Sequence, residues 1–145
     1  MIPDTKKPWS GRINTVTIGA TPAEGGTRAT TVTIGGSGTL PYLAFDGPTS
    51  PAVAAMEVWD VYPQDWPDML KEAFGDAMKD PASWAKACCE KGADVICLRL
   101  AGCHPDRGDR SPQQAAEAVK QVLQAVSVPL IILGSGNAEK DNDVF

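Results

Sequence analysis

A cysteine and the only histidine of this chain stand side by side, Cys103-His104. Thiol nucleophiles and their bases are built from that pair of residue types. Neighbours in sequence seldom point at each other, however, and no orienting acid is fixed beside them. A solvated loop histidine is therefore the plainer reading. Glu57 and Arg99 are charges set inside otherwise apolar runs. An unpaired carboxylate there would cost roughly several kcal/mol, so the two either pair with each other or form a polar floor beneath a ligand. Gly134-Ser135-Gly136-Asn137 is a glycine-rich turn between an apolar run and a helix start. Its backbone N–H groups suit an anion or the polar edge of a ligand. It matches no phosphate-loop spacing, and a plain structural turn fits equally well. Glu24-Gly25-Gly26-Thr27-Arg28 reads as a hairpin loop and nothing more. Cys88, Cys89, Cys97 and Cys103 lack the C-x-x-C spacing of zinc or iron–sulfur sites. They are expected to be free, structural thiols with no metal bound.

Three short apolar runs must position these groups: residues 52–59, 94–100 and 129–134. Helix-like segments separate them, the cadence of β-α-β units feeding a parallel sheet. A short helix is expected from Pro67 to Phe74. Asp80-Pro81 supplies a helix N-cap followed by proline at the first helical position. Trp84, Ala85, Cys88 and Cys89 form its buried stripe, and Gly92 stops it. Ser111-Pro112-Gln113-Gln114 completes a capping box, with Ala115, Val119, Val122, Leu123 and Val126 facing the core. Val128-Pro129 ends that helix, and Asn137 opens the next.

The first fifty residues follow another pattern. Thr-Val-Thr-Ile-Gly occurs at residues 15–19 and again at 31–35. Each copy has the period-two alternation of a half-solvated strand. Pro22 and Gly25-Gly26 lie between them, so an antiparallel hairpin is expected, plugging or capping the β-α-β region. Residues 36–51, rich in glycine and proline, read as a linker. Two regions follow: residues 1–50, the hairpin segment and linker, and residues 51–145, the first β/α units of a barrel. A complete (β/α)8 barrel needs about 250 residues. The 145 residues here are therefore expected to form a truncated, TIM-like α/β barrel preceded by the hairpin.

Composition narrows the function. Net charge is −5 and the longest basic run is Lys6-Lys7, which argues against nucleic acid as a partner. No apolar stretch approaches the ~20 residues that span a bilayer. No secretory signal is visible behind the first residues, so no membrane partner is expected and the location is cytoplasmic by default.

Taken in order, the local motifs resemble one family. They begin with Gly19-Ala20-Thr21, Glu24-Gly25-Gly26-Thr27-Arg28 and Val32-Thr33-Ile34-Gly35-Gly36. Leu40-Pro41, Phe45-Asp46-Gly47, Ala55-Met56-Glu57-Val58, Trp66-Pro67-Asp68, Trp84-Ala85-Lys86 and Gly92-Ala93-Asp94 continue the match. Val122-Leu123-Gln124-Ala125-Val126, Val128-Pro129-Leu130 and Glu139-Lys140-Asp141 complete it. This series resembles the small subunit of the corrinoid iron–sulfur protein, whose archaeal counterpart is the delta subunit of CO dehydrogenase/acetyl-CoA decarbonylase/synthase, in its N-terminal half. The resemblance implies a TIM-like barrel paired with a large subunit that carries the [4Fe–4S] cluster. It implies a corrinoid (cobalamin) at the interface between the two. It further implies methyl transfer from a methyl-pterin, through a separate methyltransferase, to acetyl-CoA synthase in the reductive acetyl-CoA pathway.

On that reading this chain is a non-catalytic subunit, with no catalytic residues of its own. In parallel sheets ligands sit at the carboxyl ends of the strands. The expected cofactor-facing residues are accordingly Asp60, Gly102, Gly134, Ser135, Gly136 and Asn137. Two alternatives stay open: a pterin-binding methyltransferase barrel, and a scaffold that only holds a partner subunit.

Overall fold

A computed structural model describes residues 14–36 and 52–145. The reading of residues 37–51 as a linker lies outside the described residues, as do two of the family-like motifs and the Lys6-Lys7 pair. Strands β1 (Thr15–Ile18) and β2 (Val32–Gly35) pair antiparallel, with Thr15 opposite Gly35 and Ile18 opposite Val32. The repeated sequence brings like residues across from each other, so the Thr17 and Thr33 hydroxyls meet at 2.9 Å. The connection is a capped 3-10 turn at Pro22–Glu24, where the Thr21 N–H and hydroxyl both donate to Glu24 Oε2.

A two-stranded ribbon is marginal by itself, and this one is anchored by Arg28. Its guanidinium donates to the carbonyls of Val126 (2.7 Å) and Leu123 (2.9 Å), while Ala29 N–H donates to Ser127 O. Those carbonyls end helix α3 (Pro112–Ala125), where a cation is electrostatically favoured. Gly19 backs onto Pro129 so closely that a Cβ there would lie 2.9 Å from the ring. The hairpin therefore caps the amino end of the larger sheet and leaves the carboxyl end clear of it.

That sheet contains β3 (Ala55–Trp59), β4 (Val95–Arg99) and β5 (Leu130–Leu133), all parallel, in the order β3-β4-β5. Val58, Leu98 and Ile132 form one cross-strand row, and Trp59, Arg99 and Leu133 the next. Side chains alternate, so these rows face opposite sides of the sheet. Val58, Ile96, Leu98 and Leu100 are buried with Trp84 and Cys88 of helix α2 (Pro81–Glu90) and with Ala115 and Val122 of α3. Both helices start as their sequences demand. Asp80 Oδ2 accepts from Ser83 N–H at 2.8 Å, and Ser111 and Gln114 exchange side-chain-to-backbone bonds.

Two shorter helices complete the order, α1 (Asp68–Phe74) and α4 (Ala138–Val144). The buried stripe of α2 is narrower than expected, since Cys89 is only half-buried. Cys89 still packs against the core, and Met78 from the 3-10 turn Gly75–Lys79, which no periodicity announces, joins it. The architecture is thus mixed α/β, an antiparallel hairpin plus an open parallel sheet. Barrel closure is not formed by these three strands. Among the described residues no helix is long and apolar enough to cross a membrane.

Candidate functional site

The carboxyl ends of β3 and β4 lead into two loops that face each other across a cleft of about 770 Å³. Val61, Tyr62, Gln64 and Asp65 line one side, and His104, Asp106 and Arg107 the other. Arg107 crosses the cleft to Asp65 at 2.9 Å and holds that carboxyl below the usual range. The Arg107 guanidinium also lies 5.0 Å from the Trp59 ring, within cation–π range. Trp59, Trp66 and Trp84 then stack edge-to-face in series at 5.4 and 5.3 Å. The cleft wall is tied through these rings to the hydrophobic core.

Asp60 lies directly beneath and is fully engaged. Its Oδ1 accepts from Gly102 N–H at 2.7 Å, and Arg110 donates both to its Oδ2 (3.2 Å) and to its carbonyl (2.8 Å). The approach needs glycine at 102, because a Cβ there would lie 2.7 Å from Val61 and 2.9 Å from Asp60. Asp60 and Gly102 do stand at the carboxyl ends of the strands, but their polar groups hold the two loops together rather than face outward.

The turn after β5 has a similar internal partner. Asp141 Oδ1 accepts from Ser135 N–H and from its hydroxyl, both at 2.7 Å, and Oδ2 accepts from Gly136 N–H at 3.1 Å. Burial pushes the Asp141 carboxyl up, but these bonds outweigh it and hold the pKa below the ordinary aspartate value. Gly134 is bare because a Cβ would strike the Asp141 carboxylate. Asn137 caps α4 by accepting from Lys140 N–H. The N–H groups of a turn suited to an anion are therefore satisfied by the chain's own carboxylate.

Cys103 and His104 do not form a nucleophile and base. The Cys103 thiol is buried, and burial, followed by the neighbouring Asp60, pushes its pKa up. His104 Nδ1 accepts from Asp106 N–H, which leaves Nε2–H as a donor at the cleft. All four cysteines are free thiols. Among the described residues no three His, Cys, Asp or Glu side chains converge as a metal site.

Glu57 and Arg99 are brought together. Trp59 Nε1 donates to Glu57 Oε1 at 2.5 Å, and Arg99 NH1 reaches the same oxygen at 3.4 Å. Both side chains remain over a third exposed, on the side of the sheet opposite α2 and α3. Sequence reasoning missed the cleft residues 62–65 and 106–107, as well as the Asp141 and Arg110 partners. The rule that puts ligands beyond the carboxyl ends of strands was the one available signal for the cleft.

The chain is a mixed α/β protein whose parallel sheet carries a polar, aromatic-backed cleft at its carboxyl end. The family described as "CdhD: CO dehydrogenase/acetyl-CoA synthase delta subunit" matches residues 15–145, and the chain belongs to that family. It is 41% identical over 147 residues to the acetyl-CoA decarbonylase/synthase complex subunit delta of Archaeoglobus fulgidus, covering 97% of this chain and 31% of that protein. The subunit delta of Methanopyrus kandleri is 35% identical, covering 93% and 34%. That of Methanocaldococcus jannaschii is 37% identical, covering 92% and 33%. The chain thus spans about a third of the length of these curated relatives.

Proposed function

We propose that this chain is a non-catalytic part of a methyl-carrying corrinoid protein, working in the cytoplasm with other subunits of an acetyl-CoA decarbonylase/synthase complex. Its three parallel strands are the first units of a (β/α) barrel continued in a longer polypeptide. The observation that carries the reading is the cleft at the carboxyl end of β3 and β4, in a member of the delta family. A corrinoid presents a broad face rimmed by neutral amide groups. The cleft offers a matching mixture of donors and acceptors: Tyr62, Gln64, His104 and Arg107, with Glu57 and Arg99 nearby. The residues fit such a group.

In this assignment Tyr62, Gln64 and His104 bind the corrinoid edge. Asp60 and Gly102 keep the two loops at a fixed separation. The turn of Gly134, Ser135, Gly136 and Asn137, locked by Asp141, stands at the same carboxyl end of the sheet. When bound, the corrinoid's cobalt supplies the methyl-carrying chemistry, as is usual when a cofactor does the hard step. A large partner subunit holds most of the corrinoid and carries the [4Fe–4S] cluster. A methyltransferase loads the methyl group from a methyl-pterin, and acetyl-CoA synthase receives it in the reductive acetyl-CoA pathway.

Reconstitution tests this. Methyl transfer from a methyl-pterin to acetyl-CoA synthase should require both this protein and a corrinoid-bearing large subunit. Methyl transfer to free corrinoid by this protein alone would instead make it a methyltransferase.

A further inference from the structure

We propose that His104 is a positioning residue of the cleft: its unprotonated Nδ1 sets the turn that carries Arg107, and the cleft's hold on its ligand weakens when the imidazole takes up a proton. The effect on the ligand rests on the corrinoid reading above.

His104 precedes the 3-10 turn Pro105–Arg107 and caps it with its side chain. The Asp106 N–H donates to Nδ1 at 3.1 Å. A backbone N–H can only donate, so Nδ1 must be the unprotonated nitrogen of the ring. The capped turn places Arg107. Its guanidinium meets both oxygens of Asp65, at 3.4 and 2.9 Å, and so ties the loop after β4 to the loop after β3. It also lies 5.0 Å from the Trp59 ring at the end of β3. His104, Asp65 and Arg107 all line the cleft.

A proton on Nδ1 sets two donors against each other. The ring must then leave the Asp106 N–H, and the Asp106 carboxylate, whose Oδ2 lies 3.8 Å from Nδ1, is at hand to accept the new N–H. The turn keeps its backbone bonds from Arg107 N–H and Asp109 N–H to the His104 carbonyl, at 2.9 and 3.1 Å, so it loosens rather than unfolds. Nε2 donates in both protonation states, so a ligand contact made there survives acidification. What the proton removes is the cap.

The charged groups around the ring decide where in pH the change falls, not its direction. Asp106 lies on the same turn, Asp65 and Arg107 line the same cleft, and Asp141 acts on the ring from α4. Lys140 of α4 is committed to Asp109, and Arg110 to Asp60. Burial pushes the adjacent Cys103 thiol up. Asp65 and Asp141 titrate below the ordinary aspartate value, so both stay charged over the interval in which a histidine changes charge.

The test uses the full-length protein assembled with its corrinoid-bearing partner, at about pH 8 and at about pH 5.5. Hydrogen exchange read by mass spectrometry follows the peptide 104–110 without ligand, and tryptophan quenching follows binding of dicyanocobinamide. Asparagine is a neutral N-cap that accepts at either pH. Wild type and His104→Asn should therefore protect this peptide alike at the higher pH, and the wild type should exchange faster at the lower one. His104→Ala, with no cap, should exchange fast at both. The wild type should bind dicyanocobinamide about fivefold more weakly in acid, whereas His104→Asn, whatever its affinity, should not change with pH. Binding that is unchanged or tighter in acid, or an acid loss shared by His104→Asn, overturns the assignment and leaves the corrinoid reading intact. Failure of the wild type to bind dicyanocobinamide at either pH instead refutes the corrinoid reading, and the exchange comparison then decides for or against the His104 turn by itself.

Discussion

Removing the Asp60 carboxylate should separate the two loops that build the cleft. Asp60→Ala takes away the acceptor for Gly102 N–H, a buried donor with no other partner among the described residues, and the charge that faces Arg110. An orphaned buried donor costs about 1–3 kcal/mol. Arg110 is only partly buried and keeps its bond to the Asp60 carbonyl, so its lost ion pair adds no more than about 1 kcal/mol. The expected loss is about 1–4 kcal/mol in total. Asp60→Asn keeps an oxygen for Gly102 and should lose about 1–2 kcal/mol, and Arg110→Met about 1 kcal/mol. Urea unfolding at low protein concentration measures each as a drop in midpoint with unchanged slope. The double variant should be less destabilised than the sum of the two singles, because the residues share one network. An Asp60→Ala protein within about 0.5 kcal/mol of wild type, the range of an ordinary surface substitution, would refute the argument.

Four further outcomes follow from the same geometry. Arg28→Ala should free the hairpin by removing two bonds to the end of α3, raising amide exchange across β1 and β2 while the parallel sheet stays protected. Asp141 has a lowered pKa, so its contribution to stability is complete above the ordinary aspartate value and is lost as pH falls through the lowered one. Asp141→Ala should flatten that part of the acid dependence of the urea midpoint. Trp84→Ala should cost about 3–5 kcal/mol, whereas Trp84→Phe should cost clearly less, because it also removes a buried indole N–H that has no partner among the described residues. Burial pushes the Cys88 thiol up to about 11, so Cys88 should react with iodoacetamide far more slowly at pH 8 than the half-buried Cys89, as mass spectrometry would show.

What could be read in the sequence was what local chemistry dictates. The repeated Thr-Val-Thr-Ile showed the hairpin because period-two alternation belongs to an extended ribbon with one wet face. Ser111-Pro112-Gln114 and Asp80-Pro81 marked their helices because capping is satisfied within a few residues. The parallel strands were legible from their apolar runs, to within one to three residues at most ends. The Glu57–Arg99 encounter could be named as an option from two misplaced charges, although its exposure could not. The site's lining was hidden for a physical reason. Arg107 meets Asp65, and Arg110 meets Asp60, across the cleft between separate loops, joined only when β3 and β4 pair. Asp141 was concealed differently: it lies six residues from Ser135, yet it reads as an ordinary charge on an exposed helix. Only the backward fold of α4 turns it into the partner of the preceding turn.

The central claim is that the carboxyl end of the parallel sheet, not the end capped by the hairpin, faces the corrinoid. Hydroxyl-radical footprinting of the assembled complex, with and without corrinoid, tests it most directly. The account predicts corrinoid-dependent protection of Tyr62, His104 and Leu133, with no change at Val16 and Ile34 in the hairpin. Protection of the hairpin residues, with Tyr62 and His104 unaltered, would contradict it.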